Sequence, residues 1–538
     1  MKKLAIGFKA LRELGLLQLS LYARYQLGLR SGHYRRITSP PAAQGRRYSL
    51  KPVLPLPDVE QLKAALGDAG VTAVCIEADE VAEGKVRLFG GSPVPLALEP
   101  AGPLKHWTEY EGGVQDQGDI KFTWEPARFG WAFTLGQAWW LTHDERYPQA
   151  FWQFYERFMA ANPPYLGPNW SSAQEAALRL CALVFAAQVF NESVHSTPSR
   201  LADLAEAVAQ HAARIPPTLV YARAQHNNHL VSEALGLYTA AAALPEHPEA
   251  ARWQRLGWRW LNHAFQTQIA PDGAYCQHST NYQRLILMEA LWARAVQQQA
   301  FPEQPFPAPT LARLQATTSW LLALLDPVSG STPNLGSNDG AFIFPLSPST
   351  FADYRPVLQA ATRAFFGAPA LPAGAWDVPG LWFGMPGEAT PQDQAHALPQ
   401  MAHPGQTVLH GYGTSWAYLR AARFDSRPGH ADQLHLDLWW QGYNLCQDPG
   451  SYRYTASPPW DNALVPCRVH NTIEIDEQDQ MTRAGRFLYL DWAQAHTLER
   501  TSASDGSWER LIASHDGYRK LGITHQRRVT AFRGPVWR

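Results

Sequence analysis

Side chains that can move protons, donate hydrogen bonds to anions or stack on sugar rings recur at intervals of about fifty residues along the middle of the chain. The first four groups each combine an aromatic or imidazole ring with an amide, an acid or an arginine, and the fifth supplies amides and an acid. The groups are Trp124-Glu125 with Arg128, Asn169-Trp170, His226-Asn227-Asn228-His229, Asn281-Tyr282 with Arg284, and the run Pro333 to Asp339, which contains Asn338. Imidazoles and phenols serve as general acids or bases, and amides donate hydrogen bonds to charged oxygens. The recurrence predicts one polar site assembled from distant segments.

Other chemistry is open to some of these residues. His226 and His229 are spaced as a metal pair on a helix would be, but no nearby carboxylate completes such a site. Glu125, Glu175 and Asp339 offer the carboxylates that a glycoside hydrolase would need. Ordinary helix caps are a third interpretation, because Asn and Ser are preferred at helix N-termini.

Long helices are predicted to position the recurring groups. From about residue 119 to 380, Ala, Leu and Trp recur at helical spacing, with breaks at Pro, Gly and Asn. Pro126, Ser171 or Ser172, Asn227 or Asn228, and Asn281 fit helix starts. The predicted helices are 126–141, 172–190, 228–244 and 281–294, with return helices at 144–161, 199–214 and 249–269. Such hairpins form an array in which the recurring starts share one rim.

The regions on either side have different patterns. Residues 1–110 read as a mixed arm with β-branched pieces at Val71 to Ile76 and Val86 to Phe89, and residues 111–385 as the helical domain. Residues 386–538 are predicted to form an antiparallel β-domain, with alternating patterns near 416–420, 434–439 and 472–476. The chain stops at Val536-Trp537-Arg538, which reads as a strand or the turn after it, and this suggests a truncated β-domain with an exposed strand edge.

Composition limits the partners. The formal charge is −1, without the basic excess that phosphate binding demands, so nucleic acid is not expected. The five cysteines include no C-x-x-C pair. Residues 1–30 are interrupted by Lys9, Arg12 and Glu13, which favours a basic amphipathic helix over a signal peptide. The sequence therefore favours the cytoplasm or a membrane surface, with peripheral membrane contact through this helix.

The ordered motifs resemble the heparinase II/III-like family, which also takes in related alginate lyases. The resemblance covers residues 119 to 485 approximately. It rests on Asn169-Trp170 with Glu175 and Arg179, Asn227-Asn228-His229-Leu230 with Glu233, Asp272-Gly273 before Asn281-Tyr282, Gly429-His430-Ala431-Asp432, Asp448-Pro449-Gly450 with Tyr452, and His470-Asn471-Thr472. The family's fold is an (α/α) toroid followed by an antiparallel β-sandwich-like domain, so the expected class is multidomain α+β.

The resemblance implies a polysaccharide lyase that cleaves a uronic-acid-containing polymer by β-elimination. The C5 proton lies beside a carboxylate, so donors must neutralise that group as charge develops on it. Asn228 and His229 are the expected donors, and Tyr282 the expected proton shuttle. A free tyrosine has a pKa of about 10, so phenolate would need support, for which Arg284 and His229 are candidates.

Further substrate contacts are inferred from residue type. Trp124, Trp170 and Trp439 are expected to stack on sugars, and Arg128 and Arg284 to hold carboxylates or sulfates. Asn169, Glu175, Asn338 and Asp339 complete the expected substrate-binding set.

A metal site is also implied in the β-domain. His430, Asp448 and His470 reproduce the family's His, Asp, His order, which suits a structural Zn²⁺; hydrogen bonding at a sheet edge is the alternative. No organic cofactor is expected. Some relatives place a further histidine where this chain has Pro428, so any role of that histidine does not carry over.

Two other functions stay open. An (α/α)-toroid glycoside hydrolase would use two rim carboxylates. A non-catalytic glycan-binding protein of exopolysaccharide biosynthesis would lack Tyr282, or both Asn228 and His229, and all three are present.

Overall fold

The computed structural model describes residues 2–38, 48–110, 118–385, 407–454 and 456–534. The expected domain limits at 111 and 386, and the end of the chain at Val536–Arg538, lie outside these ranges. Within them the chain forms a toroid of antiparallel helices followed by two packed antiparallel sheets, as expected.

Helices of the described residues fall into an arm and a toroid. The arm contains α1 (Lys2–Arg30), α2 (His33–Ile37) and α3 (Val59–Ala82). The toroid contains α4 (Lys121–Ala127), α5 (Gly130–Thr142), α6 (Arg146–Ala161), α7 (Ala173–Val189), α8 (Pro198–Gln225), α9 (Asn228–Ala243), α10 (Ala250–Gln268), α11 (Thr280–Ala300), α12 (Ala308–Leu322), α13 (Arg355–Phe366) and α14 (Val378–Trp382).

The toroid has an inner and an outer layer of helices. Helices α5, α7, α9 and α11 are buried on nearly every side, whereas α6 and α10 bury one face. A helix that is apolar all round belongs inside, and an amphipathic helix belongs outside. The layers approach closely: a Cβ on Gly257 of α10 would lie 2.7 Å from the backbone oxygen of Ala234 in α9. The expected hairpin array is confirmed.

One predicted helix start is wrong. Pro126 lies inside α4, and Phe129 takes a left-handed conformation (φ 63°) that separates α4 from α5. The helix predicted from 126 to 141 is therefore two helices. Ser172 lies at the N-cap position of α7 as expected, although its hydroxyl makes no capping hydrogen bond. Asn227 caps α9 as expected, while α11 begins one residue earlier than expected, with Ser279 as its cap.

The arm is more helical than expected. Val71 to Ile76 were predicted as a β-piece but lie in α3, where Leu62, Leu66, Val74 and Ala78 are buried at a helical spacing of four. The other predicted β-piece, Val86 to Phe89, is correct in part, because a short hairpin pairs β1 (Lys85–Arg87) with β2 (Pro93–Pro95).

The β-domain contains two main sheets. The strands of its described residues are β3 (Val408–His410), β4 (Trp416–Leu419), β5 (Leu436–Trp440), β6 (Tyr443–Asn444), β7 (Thr482–Gly485), β8 (Leu488–Leu490), β9 (Ala495–Ser502), β10 (Trp508–His515) and β11 (His525–Phe532). One sheet has the order β3-β4-β5-β6, another β11-β10-β9, and β7 pairs with β8. Leu409 and Leu419 of the first sheet pack against Leu511 and Val529 of the second, which makes a sandwich core.

The predicted strand at 472–476 is wrong. Only an isolated bridge joins Ile475 to Gln478, because Asp476 and Glu477 between them take left-handed conformations that turn the chain.

The two domains meet along the rim of the toroid. Trp416 of β4 donates from Nε1 to the Asp326 carboxylate across 2.9 Å, and Leu335 packs in the same cluster. The backbone N–H of Tyr454 donates to Asp119 across 2.7 Å. These contacts hold loops of the β-domain over the starts of the inner helices.

Candidate active site

A cleft of about 320 Å³ lies between the rim of the toroid and the loops of the β-domain. The toroid contributes side chains that precede or begin α5, α7, α9 and α11. Residues lining it include Trp124, Glu125, Arg128, Glu175, Asn228, His229, Gln277, Tyr282 and Asp339 from the toroid, with Arg427, Tyr454 and Arg486 from the β-domain. The predicted convergence of distant groups is therefore present.

Three helices point their N-termini at this cleft. Glu175 lies in the first turn of α7, Asn228 and His229 begin α9, and Tyr282 lies in the first turn of α11. The backbone N–H groups of Asn228, His229 and Tyr282 already donate to side chains, so it is the helix dipole that makes these ends attractive to anions. The floor of the cleft therefore favours a negatively charged substrate.

A left-handed residue places the amide and the imidazole. His226 (φ 50°) ends α8, and the Asn227 side chain caps α9 by accepting from the backbone N–H of His229 across 3.2 Å. Gln277 fixes the backbone N–H of Asn228, at 3.0 Å. Among the described residues the side-chain amide of Asn228 has no hydrogen-bond partner, so its N–H donors are available to a ligand.

His229 is neutral at pH 7. Burial lowers the pKa of His229 to about 4, against the opposing charge of Glu175. The imidazole can therefore donate one hydrogen bond to a ligand, but it brings no positive charge.

Two tyrosines of the cleft share one carboxylate. The Tyr282 hydroxyl donates to Oδ1 of Asp339 across 3.2 Å, and the Tyr454 hydroxyl donates to the same oxygen. Burial, reinforced by Asp339, raises the pKa of both phenols well above the usual value. The expectation that neighbours stabilise a Tyr282 phenolate is therefore wrong, since this tyrosine is a phenol hydrogen-bonded to an acceptor.

The predicted anion-binding arginine of the rim is already engaged. Arg128 forms a two-pronged ion pair with Glu175 at 2.6 and 2.8 Å and a second pair with Glu125 at 2.9 Å. It also donates to the backbone oxygen of Gly340 at 2.6 Å. Burial raises the pKa of Glu125 to about 7 even beside Arg128. Arg128 and Glu175 thus build the cleft wall, and the guanidinium has little capacity left for a substrate carboxylate.

Arg427 also lines the cleft, although it was not among the predicted site residues. Its Nη2 donates to the backbone oxygen of Gln225 and to the side-chain Oε1 of the same residue, the latter at 2.8 Å. Among the described residues it has no carboxylate partner. It therefore brings an uncompensated positive charge to the cleft, on the same side as α9. The sequence did offer one indication of Arg427, because it lies two residues before the Gly429-His430 motif on which the family resemblance rests.

Five predicted contact residues lie outside the cleft. Trp170 is fully buried and donates to the backbone oxygen of Asn162 at 3.1 Å, and the adjacent Asn169 donates to the Asn162 side chain. Arg284 is also fully buried, beneath the rings of Phe351 and Tyr354. Residues two apart on a helix face opposite ways, so Arg284 points away from Tyr282.

The other two misplaced residues belong to the domain contact. Asn338 accepts a hydrogen bond from the backbone N–H of Ser451 at 3.1 Å, which joins the toroid to the β-domain. Trp439, also expected to stack on sugar, is buried and stacks on Trp416 at 5.4 Å. Trp124 is the predicted tryptophan that does line the cleft, half-buried and with Nε1 bonded to the Pro168 oxygen at 3.0 Å.

The predicted metal ligands do lie together. His430, Asp448 and His470 are buried, and one ligand atom from each lies within 4.8 Å of the others. Both ring nitrogens of His430 and Nε2 of His470 lack hydrogen-bond partners, while Nδ1 of His470 lies 3.2 Å from Oδ2 of Asp448. Buried polar atoms without partners are costly, and two imidazoles with one carboxylate form a donor set that suits Zn²⁺.

Comparison with known proteins is consistent with this geometry. A family model described as heparinase II/III N-terminus matches residues 106–341, and one described as heparinase II/III-like, C-terminal, matches residues 393–538. The chain belongs to the heparinase II/III-like family. A heparin-sulfate lyase of Bacteroides thetaiotaomicron is 29% identical over 183 residues, which cover 31% of this chain and 26% of that enzyme.

Solved structures of the family share the fold. The chain superposes on a crystal structure of heparinase III with a TM-score of 0.58 at 16% identity, over 97% of this chain and 76% of the other. A second heparinase III structure gives 0.52 at 17% identity, over 95% and 74%. The (α/α) toroid with its β-sandwich is thus the family architecture.

Proposed function

We propose that the protein is a polysaccharide lyase that cleaves a uronic-acid-containing acidic polysaccharide by β-elimination. The observation that carries the proposal is the cleft itself, which Asn228 and His229 line together with the Tyr282–Asp339–Tyr454 cluster. Membership of the heparinase II/III-like family and the names of the similar proteins support it.

The reaction requires neutralisation of a carboxylate. When the C5 proton leaves, negative charge spreads onto the neighbouring uronate group, and donors fixed in place beforehand lower the barrier. Asn228 and His229 supply neutral donors at the start of α9, and Arg427 supplies the charge that the neutral His229 lacks. Arg427 thus takes the role that the sequence analysis had given to Arg128 and Arg284.

The hydrogen-bonded tyrosines support a proton relay. The Tyr282 oxygen takes the C5 proton while its own proton passes to Asp339, the C5–H electron pair forms the C4=C5 double bond, and the C4–O bond breaks. Tyr454 protonates the departing oxygen and regains a proton from Asp339. All three groups end in their starting states, so the cycle closes without another reactant.

Hydrolysis is less well supported by the same geometry. A hydrolase needs one free carboxylic acid and one free carboxylate on either side of the bond. Glu125 and Glu175 are both ion-paired with Arg128, and Asp339 accepts from two phenols. A purely binding role would not require the paired tyrosines.

An absorbance assay tests the proposal. The purified chain is incubated with heparan sulfate, alginate and polygalacturonate, and the conjugated double bond of the unsaturated product is followed in the ultraviolet. We expect absorbance to rise with one of these polymers. New reducing ends without absorbance would contradict elimination in favour of hydrolysis, and binding without either product would favour a non-catalytic role.

We further propose that His430, Asp448 and His470 bind Zn²⁺ as a structural ion. Such an ion would join three loops of the β-domain and fix the loop that carries Arg427, three residues before His430. The test is metal analysis of the purified chain. We expect about one zinc per chain, lost in His470→Ala; a wild-type chain without metal after growth in zinc would contradict the assignment.

The expected membrane contact through α1 also stays a proposal. Among the described residues no helix is both long and apolar enough to cross a bilayer. Helix α1 does expose Phe8, Leu16 and Leu17, at 71, 74 and 61%. We expect the chain to sediment with anionic vesicles and Leu16→Asp with Leu17→Asp to abolish this; unchanged sedimentation of that variant would contradict the proposal.

A further inference from the structure

A second groove, of about 710 Å³, lies between the arm and the outer layer of the toroid. Its walls come from the end of α1, from α2, and from α8 and α10. Five arginines line it, and no acidic residue does; they are Arg24, Arg36, Arg223, Arg252 and Arg259. The whole chain carries a formal charge of −1, so this is a local concentration of positive charge.

Four of these arginines have no carboxylate partner among the described residues. Arg252 pairs with Glu249 at 2.8 Å, whereas the salt bridges of the described residues include none for Arg24, Arg36, Arg223 or Arg259. Like charges without counter-charges repel each other, and the arrangement costs free energy unless a ligand supplies the anions.

An indole holds two of the guanidinium groups in place. The guanidinium of Arg223 lies 4.4 Å from the ring centre of Trp260, and that of Arg259 lies 5.1 Å from it. Burial lowers the pKa of Arg223, and the nearby charges of Arg259 and Arg24 lower it further. Stacking on an aromatic face holds a guanidinium while leaving its N–H edge free for an anion.

The groove lies beside the candidate active site. Tyr221 and Gln225, one turn apart on α8, line the cleft. Val220 and Arg223, on another face of the same turns, line the groove. The last turns of α8 therefore form a wall between the two.

We propose that the arginine groove is a second binding site for the acidic polysaccharide, which grips carboxylate or sulfate groups of a chain outside the cleft. The inference rests on the proposed function for its substrate class. Arginines on facing walls suit a linear polyanion lying in a groove. A flat bilayer surface fits less well, because Arg223 is half-buried within the concave wall.

Affinity electrophoresis tests the site without requiring turnover. The full chain carrying Tyr282→Phe is run through native gels with heparan sulfate, polygalacturonate or neutral dextran. We expect Arg223→Ala with Arg259→Ala to raise the apparent Kd for the acidic polymers about tenfold, as for the loss of two charge-assisted contacts. Neutral dextran should not change the migration of the parent chain or of the variant. The matched control is Arg146→Ala with Arg157→Ala, which removes two exposed, ion-paired charges from α6 and should leave the Kd unchanged.

Two further measurements separate the alternatives. Circular dichroism establishes that the groove variant is folded. If it binds both acidic polymers as tightly as the parent chain, the site is refuted. If polymer binding is unchanged but sedimentation with phosphatidylserine vesicles is lost, the groove binds lipid and the proposal is overturned. Failure of the wild-type chain to form an unsaturated product would refute the lyase proposal alone, since the gel measures binding.

Discussion

Replacement of Tyr282 by phenylalanine is the sharpest test of the proposed chemistry. The change removes one hydroxyl, which donates to Asp339 across 3.2 Å, and leaves the ring that packs against the toroid core. Loss of this hydrogen bond to a carboxylate changes the free energy of unfolding by about 1.5 to 3 kcal/mol, and Tyr454 still donates to the same oxygen, so the fold should persist. Substrate affinity should change little, because the hydroxyl acts in the transition state.

The expected catalytic effect is much larger. General acid–base groups contribute about 10²- to 10⁴-fold to rates, which corresponds to about 3 to 5 kcal/mol of transition-state free energy. We expect kcat to fall by that factor while KM stays within about threefold. Tyr454→Phe should behave similarly, because its hydroxyl reaches the same oxygen of Asp339.

Initial rates of ultraviolet absorbance over a range of polymer concentrations measure both constants. The matched control is Tyr238→Phe, which removes a buried hydroxyl of α9 that is 3.5 Å from Gln304 and outside the cleft. A Tyr282→Phe enzyme with wild-type kcat, or with a raised KM alone, would refute the relay.

Three further substitutions test other parts of the site. Arg427→Ala should lower kcat/KM by about 10²-fold or more, with partial recovery in Arg427→Lys, because charge develops beside it; equal activity of all three enzymes would contradict its role. Glu125 has a pKa raised to about 7, so its contribution to stability is present below its ordinary pKa and is lost as the pH rises through 7. Glu125→Gln should remove about 3 kcal/mol of this pH dependence in urea unfolding between pH 4.5 and pH 8, and parallel curves for the two proteins would refute the assignment. Gly340→Ala should destabilise the fold by about 2 kcal/mol and lower activity, since Gly340 has φ 51° and a Cβ there would lie 2.1 Å from Arg128; an unchanged melting temperature would count against this.

Helix periodicity and capping residues predicted the array of helical hairpins, and the resemblance to the family implied that the array is an (α/α) toroid. Ser172 and Asn227 mark the starts of α7 and α9, because the physics of a helix N-terminus depends on a few neighbouring residues. Sequence pattern alone did not distinguish every helix from a strand. Val71 to Ile76 are rich in β-branched residues, yet burial at every fourth position along α3 outweighs that preference.

The candidate site was predicted in part. Asn228, His229 and Tyr282 do converge, since each begins an inner helix and those starts share a rim. Trp170 and Arg284 looked equally suitable in the sequence, but their side chains point into the protein. A residue type and a spacing do not specify which side of a helix or turn faces a cleft.

Tyr454 and Arg427 could not have been assigned from the toroid pattern. Both come from loops of the β-domain, and their positions depend on how that domain docks, through contacts such as Trp416 with Asp326. The charge state of the site depended on the same docking, because burial makes His229 neutral and keeps Tyr282 protonated.

Local order in the chain thus determined which helices and strands form and which residues begin them, because backbone hydrogen bonding and periodic burial act over short stretches. Tertiary structure alone decided which polar side chains share the cleft. It also decided that Arg427 has no carboxylate partner among the described residues, that His229 is neutral and that Tyr282 stays protonated. Those properties depend on desolvation and on distances between residues hundreds of positions apart, and no local pattern records them.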